Sequence, residues 1–235
     1  MKKILNILLV YFAPCLLIVM LFYSREHVQN QSFKLSEVNI KADQNQFVSR
    51  DLVESLLSDH IVDADGKYLT LNQVSFEQIE KVLLSHSSIS RVNIYSDLNG
   101  YVTIDIVPKI PIARIYNNSD IYYIDNSGEK MELSVAYTSR SLIVTGDLNS
   151  LNQSNIFHIC KYIYDDNFLR NQITSIDVSN SELSMFARTG ELIEFGRVKD
   201  MNHKFTKLKL YYDNVSSDFS ILNLKYNNQI ICKNS

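Results

Sequence analysis

The side chains able to do chemistry are few and scattered. His27, His60, His86, His158 and His203 never recur at i,i+3 or i,i+4, so no single helix turn can offer two imidazoles to one zinc ion. The sequence holds no His-Glu-x-x-His, Cys-x-x-Cys or Gly-x-Ser-x-Gly and no glycine-rich phosphate loop. Asp165-Asp166 is a possible carboxylate pair for acid–base work, but it follows a helical stretch and reads better as a solvated turn. Arg197, Lys199, Lys204, Lys207 and Lys209 could meet an anionic partner or a wall polymer; such a run is more often the wet face of a helix whose other face is core. Cys15, Cys160 and Cys232 are odd in number and widely spaced, which argues against a disulfide framework. These residues predict no enzyme, cofactor, metal site or small-molecule substrate. With 23 basic against 26 acidic residues, bulk affinity for nucleic acid is not expected either.

What remains is backbone chemistry near the C-terminus. Residues 219–226, the pair Asn227-Asn228 and residues 229–233 read as a final hairpin. A strand in that position often lies at a sheet edge, where unpaired N–H and C=O groups can accept another strand. Gln229, Ile230, Ile231 and Cys232 carry no charge against such pairing, and Lys233 is the one guard. Whether another strand or loop already covers this edge stays open at the level of sequence.

The elements that must position this hairpin follow from periodicity. Residues 4–23 are apolar and uncharged, preceded by Lys2 and Lys3 and followed by Ser24-Arg25-Glu26-His27. A helix of that length covers about 30 Å, the thickness of a bilayer core. The prediction is a cytoplasmic tail (1–3), a transmembrane helix (4–23) and a linker (24–32), with the bulk of the chain exported across a plasma (inner) membrane. A cleaved signal is disfavoured because no small-x-small site follows, and a lipoprotein reading at Cys15 is disfavoured by Pro14 and the apolar residues after it.

Residues 33–108 read as strand, helix, helix, strand, strand. Ser49 caps a helix bearing Leu52, Val53, Leu56 and Leu57, and the Ser75/Gln78 capping box opens one bearing Phe76, Ile79, Val82 and Leu83. Val92 and Ile94, a turn at 97–100, then Val102, Ile104 and Ile106 give the last two strands. This β-α-α-β-β order resembles the polypeptide-transport-associated (POTRA) fold. Pro108 and Pro111 mark a boundary. Residues 109–235 predict a mainly antiparallel β domain with two helices, one carrying Ile156, Ile159, Cys160 and Ile163, the other Met201, Phe205, Leu208 and Tyr212. The whole is α+β.

Four stretches carry a family likeness. Lys109-Ile110-Pro111-Ile112-Ala113-Arg114, then Tyr122-Tyr123-Ile124-Asp125-Asn126-Ser127-Gly128, then Leu192-Ile193-Glu194-Phe195-Gly196-Arg197, and finally Leu222-Asn223-Leu224-Lys225-Tyr226 occur in that order. Their order and spacing resemble the FtsQ/DivIB family of bacterial cell-division proteins. Asn223 stands where the family has Asp and Lys225 where it has Arg, so an ion pair at Lys225 is expected to be less directional. The resemblance implies a non-catalytic, bitopic divisome scaffold at the septum that binds FtsB/FtsL-type partners outside the cytoplasm and helps assemble the septal cell-wall machinery. It also implies strand addition at the last strand with Tyr226 in contact, which makes Lys225, Tyr226, Gln229, Ile230, Ile231 and Cys232 the candidate partner-binding residues. The alternative is a POTRA-containing export or outer-membrane assembly factor; those usually carry several POTRA units and a long barrel, for which this chain has no room.

Overall fold

The structure, a computed structural model, describes residues 2–41, 47–117, 120–215 and 219–234, with backbone alone for residues 2–11 and 29. The chain divides into two compact units, Met1–Pro108 and Lys109–Ser235.

The first unit begins with helix α1, Lys2–Gln29, which contains Pro14. Here the structure corrects the sequence reading. Among the described residues no helix is long and apolar enough to cross a membrane. Residues 24–29 of the expected linker continue the same helix, which ends at Gln29. Residues 4–11, and the Lys2 and Lys3 side chains used to orient the segment, lie outside the described side chains. The transmembrane span at 4–23, the bitopic part of the function, the membrane as a partner and the single-pass inner-membrane localisation are therefore withdrawn.

Beyond α1 come β1 (Lys34–Ile40), α2 (Arg50–Ile61), α3 (Phe76–Ser85), β2 (Ile89–Ser96) and β3 (Tyr101–Pro108). The Ser49 side chain accepts from the Leu52 amide at 3.2 Å and Ser75 from the Gln78 amide at 3.3 Å, so each helix starts where its cap lies. β3 is central: β1 runs parallel to it (Val38 opposite Ile104) and β2 antiparallel (Val92 opposite Ile106). Alternation along β3 sends Val102, Ile104 and Ile106 into a core shared with Val53, Leu57, Ile79 and Leu83. In the β2–β3 turn the Asp97 carboxylate accepts the Tyr101 and Asn99 amides at 2.9 and 2.8 Å. Those bonds, Tyr101 foremost, hold its pKa below the usual aspartate value.

The second unit is a nine-stranded mixed sheet carrying helices. Its strands are β4 (Pro111–Asn117), β5 (Asp120–Asp125), β6 (Lys130–Met131), β7 (Leu142–Gly146), β8 (Ile173–Ser179), β9 (Glu182–Ala187), β10 (Leu192–Gly196), β11 (Ile221–Asn223) and β12 (Ile231–Lys233). Helices α4 (Gln153–Asp165) and α5 (Asn167–Gln172) lie between β7 and β8, and α6 (Met201–Asn214) lies between β10 and β11. The spatial order is β12-β11-β10-β9-β8-β7-β4-β5-β6.

Both helical connections join neighbouring parallel strands, β7 with β8 and β10 with β11. A parallel neighbour needs a crossover of a dozen or more residues, and a helix is the usual one. One buried row runs in register through Ile115, Val144, Ile176, Met185, Ile193 and Leu222. Ile156, Ile159, Cys160 and Ile163 of α4 and Phe205, Leu208 and Tyr211 of α6 belong to the same core cluster. Phe205 stacks on Tyr162 and packs against Phe195, each at 5.0 Å between ring centroids.

Candidate functional site

β12 ends the sheet. It pairs with β11 alone, Ile231 opposite Asn223, Cys232 opposite Leu222 and Lys233 opposite Ile221, and among the described residues no strand lies on its outer side. The hairpin is shorter than its sequence suggests. Each strand has three residues, and residues 224–230 form the loop between them. Of the six candidate residues, Ile231 and Cys232 lie in β12, while Lys225, Tyr226, Gln229 and Ile230 lie in the loop. Cys232 and Ile230 pack against the core cluster, and partial burial raises the pKa of the Cys232 thiol. Tyr226 is about half exposed, at 49%.

The strand leading into the loop is fixed by polar contacts on the face away from the core row. The Asn223 amide donates to Glu194, and the Lys225 backbone N–H donates to Asn223 Oδ1 at 3.0 Å. Lys225 Nζ reaches Glu182 at 2.7 Å. Its hydrogen bond to that carboxylate raises the Lys225 pKa, and the same bond lowers that of Glu182. Asn223 thus serves as a two-sided bridge, while the lysine finds its carboxylate two strands away, on β9.

The loop itself is held from α6. Lys207 Nζ donates to the carbonyls of Tyr226 and, at 3.3 Å, Gln229. His203 Nε2 meets the carbonyl of Asn227. Because a carbonyl only accepts, that nitrogen must carry a proton. Lys204 turns the other way, donating to the carbonyls of Phe195 and Arg197 at 2.8 and 2.9 Å beneath the end of β10. Burial lowers the pKa of both lysines. Lys209 pairs with Asp166. Three of the five basic residues that read as a solvated helix face are therefore structural ties, while Arg197 and Lys199 are exposed.

The other chemical candidates resolve just as locally. Asp165 pairs with Lys161 at 2.7 Å, whereas Asp166 caps α5 by accepting the Leu169 amide at 3.0 Å. The two carboxylates have separate partners and no shared proton to move. Cys15, Cys160 and Cys232 are all free, and burial pushes the Cys160 thiol up to about 12, making it an inert core residue. Among the described residues no cluster of His, Cys, Asp or Glu could hold a metal.

A small helix-covered sheet followed by a mixed-sheet domain, with no strand beyond β12 among the described residues, defines a two-domain α+β protein. The POTRA-like domain family matches residues 34–107, and the family described as FtsQ/DivIB, C-terminal related, matches residues 110–233, more than half of the chain. The chain belongs to the FtsQ/DivIB family. No curated protein matches it.

Proposed function

We propose that this protein is a non-catalytic cell-division scaffold that receives an extended segment of an FtsB/FtsL-type partner on the outer edge of β12. The observation that carries this reading is the position of β12 at the end of the nine-stranded sheet, with no strand on its outer side among the described residues. Family membership supports the choice of partner. Main-chain hydrogen bonds from Ile231–Lys233 would provide affinity, and the flanking Tyr226, Lys225, Gln229 and Ile230 would provide specificity.

Pull-down of a purified FtsB-type partner by the full chain tests it. Truncation after Tyr226 removes the edge, and Ile231→Pro removes one N–H and fixes φ. Both variants should lose the partner while the POTRA-like unit keeps its own unfolding transition. Unchanged capture by both would refute the assignment.

A further inference from the structure

We propose that Lys207 and His203 are positioning residues for the β12 edge: from α6 they hold the backbone of the β11–β12 loop and so set the register in which β12 is presented. This rests on the reading of β12 as the docking edge.

The hairpin cannot set its own register securely. Three residue pairs join β11 to β12, a length that is marginal without help. A slip of one residue would exchange the faces of every β12 side chain, taking Cys232 off the core cluster and putting Ile231 or Lys233 in its place. The loop offers little packing to prevent this, because residues 225–229 are all exposed and only Ile230 and Leu224 at its ends reach the core.

The loop is instead gripped through its carbonyls. Lys207 spans the turn by taking the Tyr226 and Gln229 oxygens together, and His203, one helical turn earlier, takes the Asn227 oxygen between them. Residues four apart on a helix share a face, so one face of α6 reads three loop carbonyls. A charged donor makes the stronger bond, and a one-residue slip would misalign all three acceptors. Lys207 has shed water to reach them, consistent with its lowered pKa.

The experiment compares the full wild-type chain with Lys207→Gln, Lys207→Arg and His203→Ala. It reads amide hydrogen exchange across residues 222–233 and the rate constants for binding the same FtsB-type partner. Lys207→Gln should speed inward-facing amide exchange in β12 about tenfold, the opening expected from loss of one charge-assisted bond. Partner association should slow by a similar factor with the melting temperature nearly unchanged, and Lys207→Arg should recover part of both. His203→Ala should show the same pattern more weakly. Exchange in Lys207→Gln equal to wild type would overturn the proposal, as would faster exchange accompanied by unchanged association. A wild-type chain that binds no partner refutes the docking reading instead, and the exchange comparison then decides the clamp alone.

Discussion

Gly146→Ala tests whether the sheet is built as described through its middle. Gly146 ends β7 at φ +97° opposite Val178 of β8. A Cβ there would lie 2.2 Å from the Val178 carbonyl oxygen and 2.7 Å from its nitrogen, both backbone atoms that no rotamer change can move. Ordinary contact begins near 3.4 Å, so the strands must part by about 1 Å. The Asp147 N–H to Val178 carbonyl bond, now 2.7 Å, would then stretch past useful length. Left-handed strain costs about 1–2 kcal/mol, and the broken bond with its buried partners about 1–3 kcal/mol. The total is about 2–5 kcal/mol, or a fall of roughly 10–20 °C in the melting transition of the second unit. Gly190→Ala is the control, since Gly190 has φ +105° but nothing within 4 Å of a built Cβ. It should pay the conformational cost alone. Calorimetric scans of the two variants decide the matter: equal losses would mean that the β7–β8 collision does not exist and the parallel pairing is wrong.

Two further outcomes follow from the caps and ion pairs. Ser75→Ala should cost the first unit about 1 kcal/mol by leaving the Gln78 amide without its acceptor, seen as a drop of about 4–8 °C in that unit's transition; an unchanged transition would show that the cap contributes nothing. Burial alone would raise the Asp166 pKa, but the Lys209 ammonium and the Leu169 amide outweigh it and the net shift is downward from 3.8. A depressed carboxyl stabilises fully above its unfolded pKa and loses that contribution as pH falls through the folded one. Asp166→Asn keeps a capping side chain but removes the charge, so wild type should be more stable by about 0.5–1 kcal/mol, a value set low because both groups are partly exposed. That gap should be constant from about pH 5 to 7 and close below about pH 4; a gap that widens on acidification would reverse the sign of the argument.

Local chemistry made much of this fold legible from the amino acids alone. Ser49 and Ser75 mark helix starts, β3 alternates cleanly because one face is buried, and the apolar positions of α4 and α6 identify their inward stripes. Each signal depends on neighbours in the chain. Short elements without a repeating pattern were not visible: β6 has two residues, α5 has six, and the β8–β9 turn rests on positive φ at Asn180 and Ser181. The Asn-Ser dipeptide between two alternating runs was a usable hint for that turn. The sequence reading of a mainly antiparallel sheet missed the parallel pairs, although β7–β8 and β10–β11 each have a helix between them in the chain, which is what a parallel crossover requires.

Tertiary structure alone decided which contacts hold the β11–β12 loop. Nothing in the sequence ties Lys207 to the Tyr226 and Gln229 carbonyls, Lys225 to Glu182 or Asn223 to Glu194, because each pair is separated by 19 to 43 residues and meets only once the sheet has set its register. The length of β12 has the same origin. Its sequence favours a strand from Gln229 onward, but α6 captures the loop carbonyls up to Gln229, and a carbonyl turned toward a lysine is not available to a ladder. Sequence thus determined which residues prefer strand or helix, through backbone and side-chain preferences that act over a few positions. Which edge is left open, and what holds it in place, depends on contacts between distant segments that exist only in the folded chain.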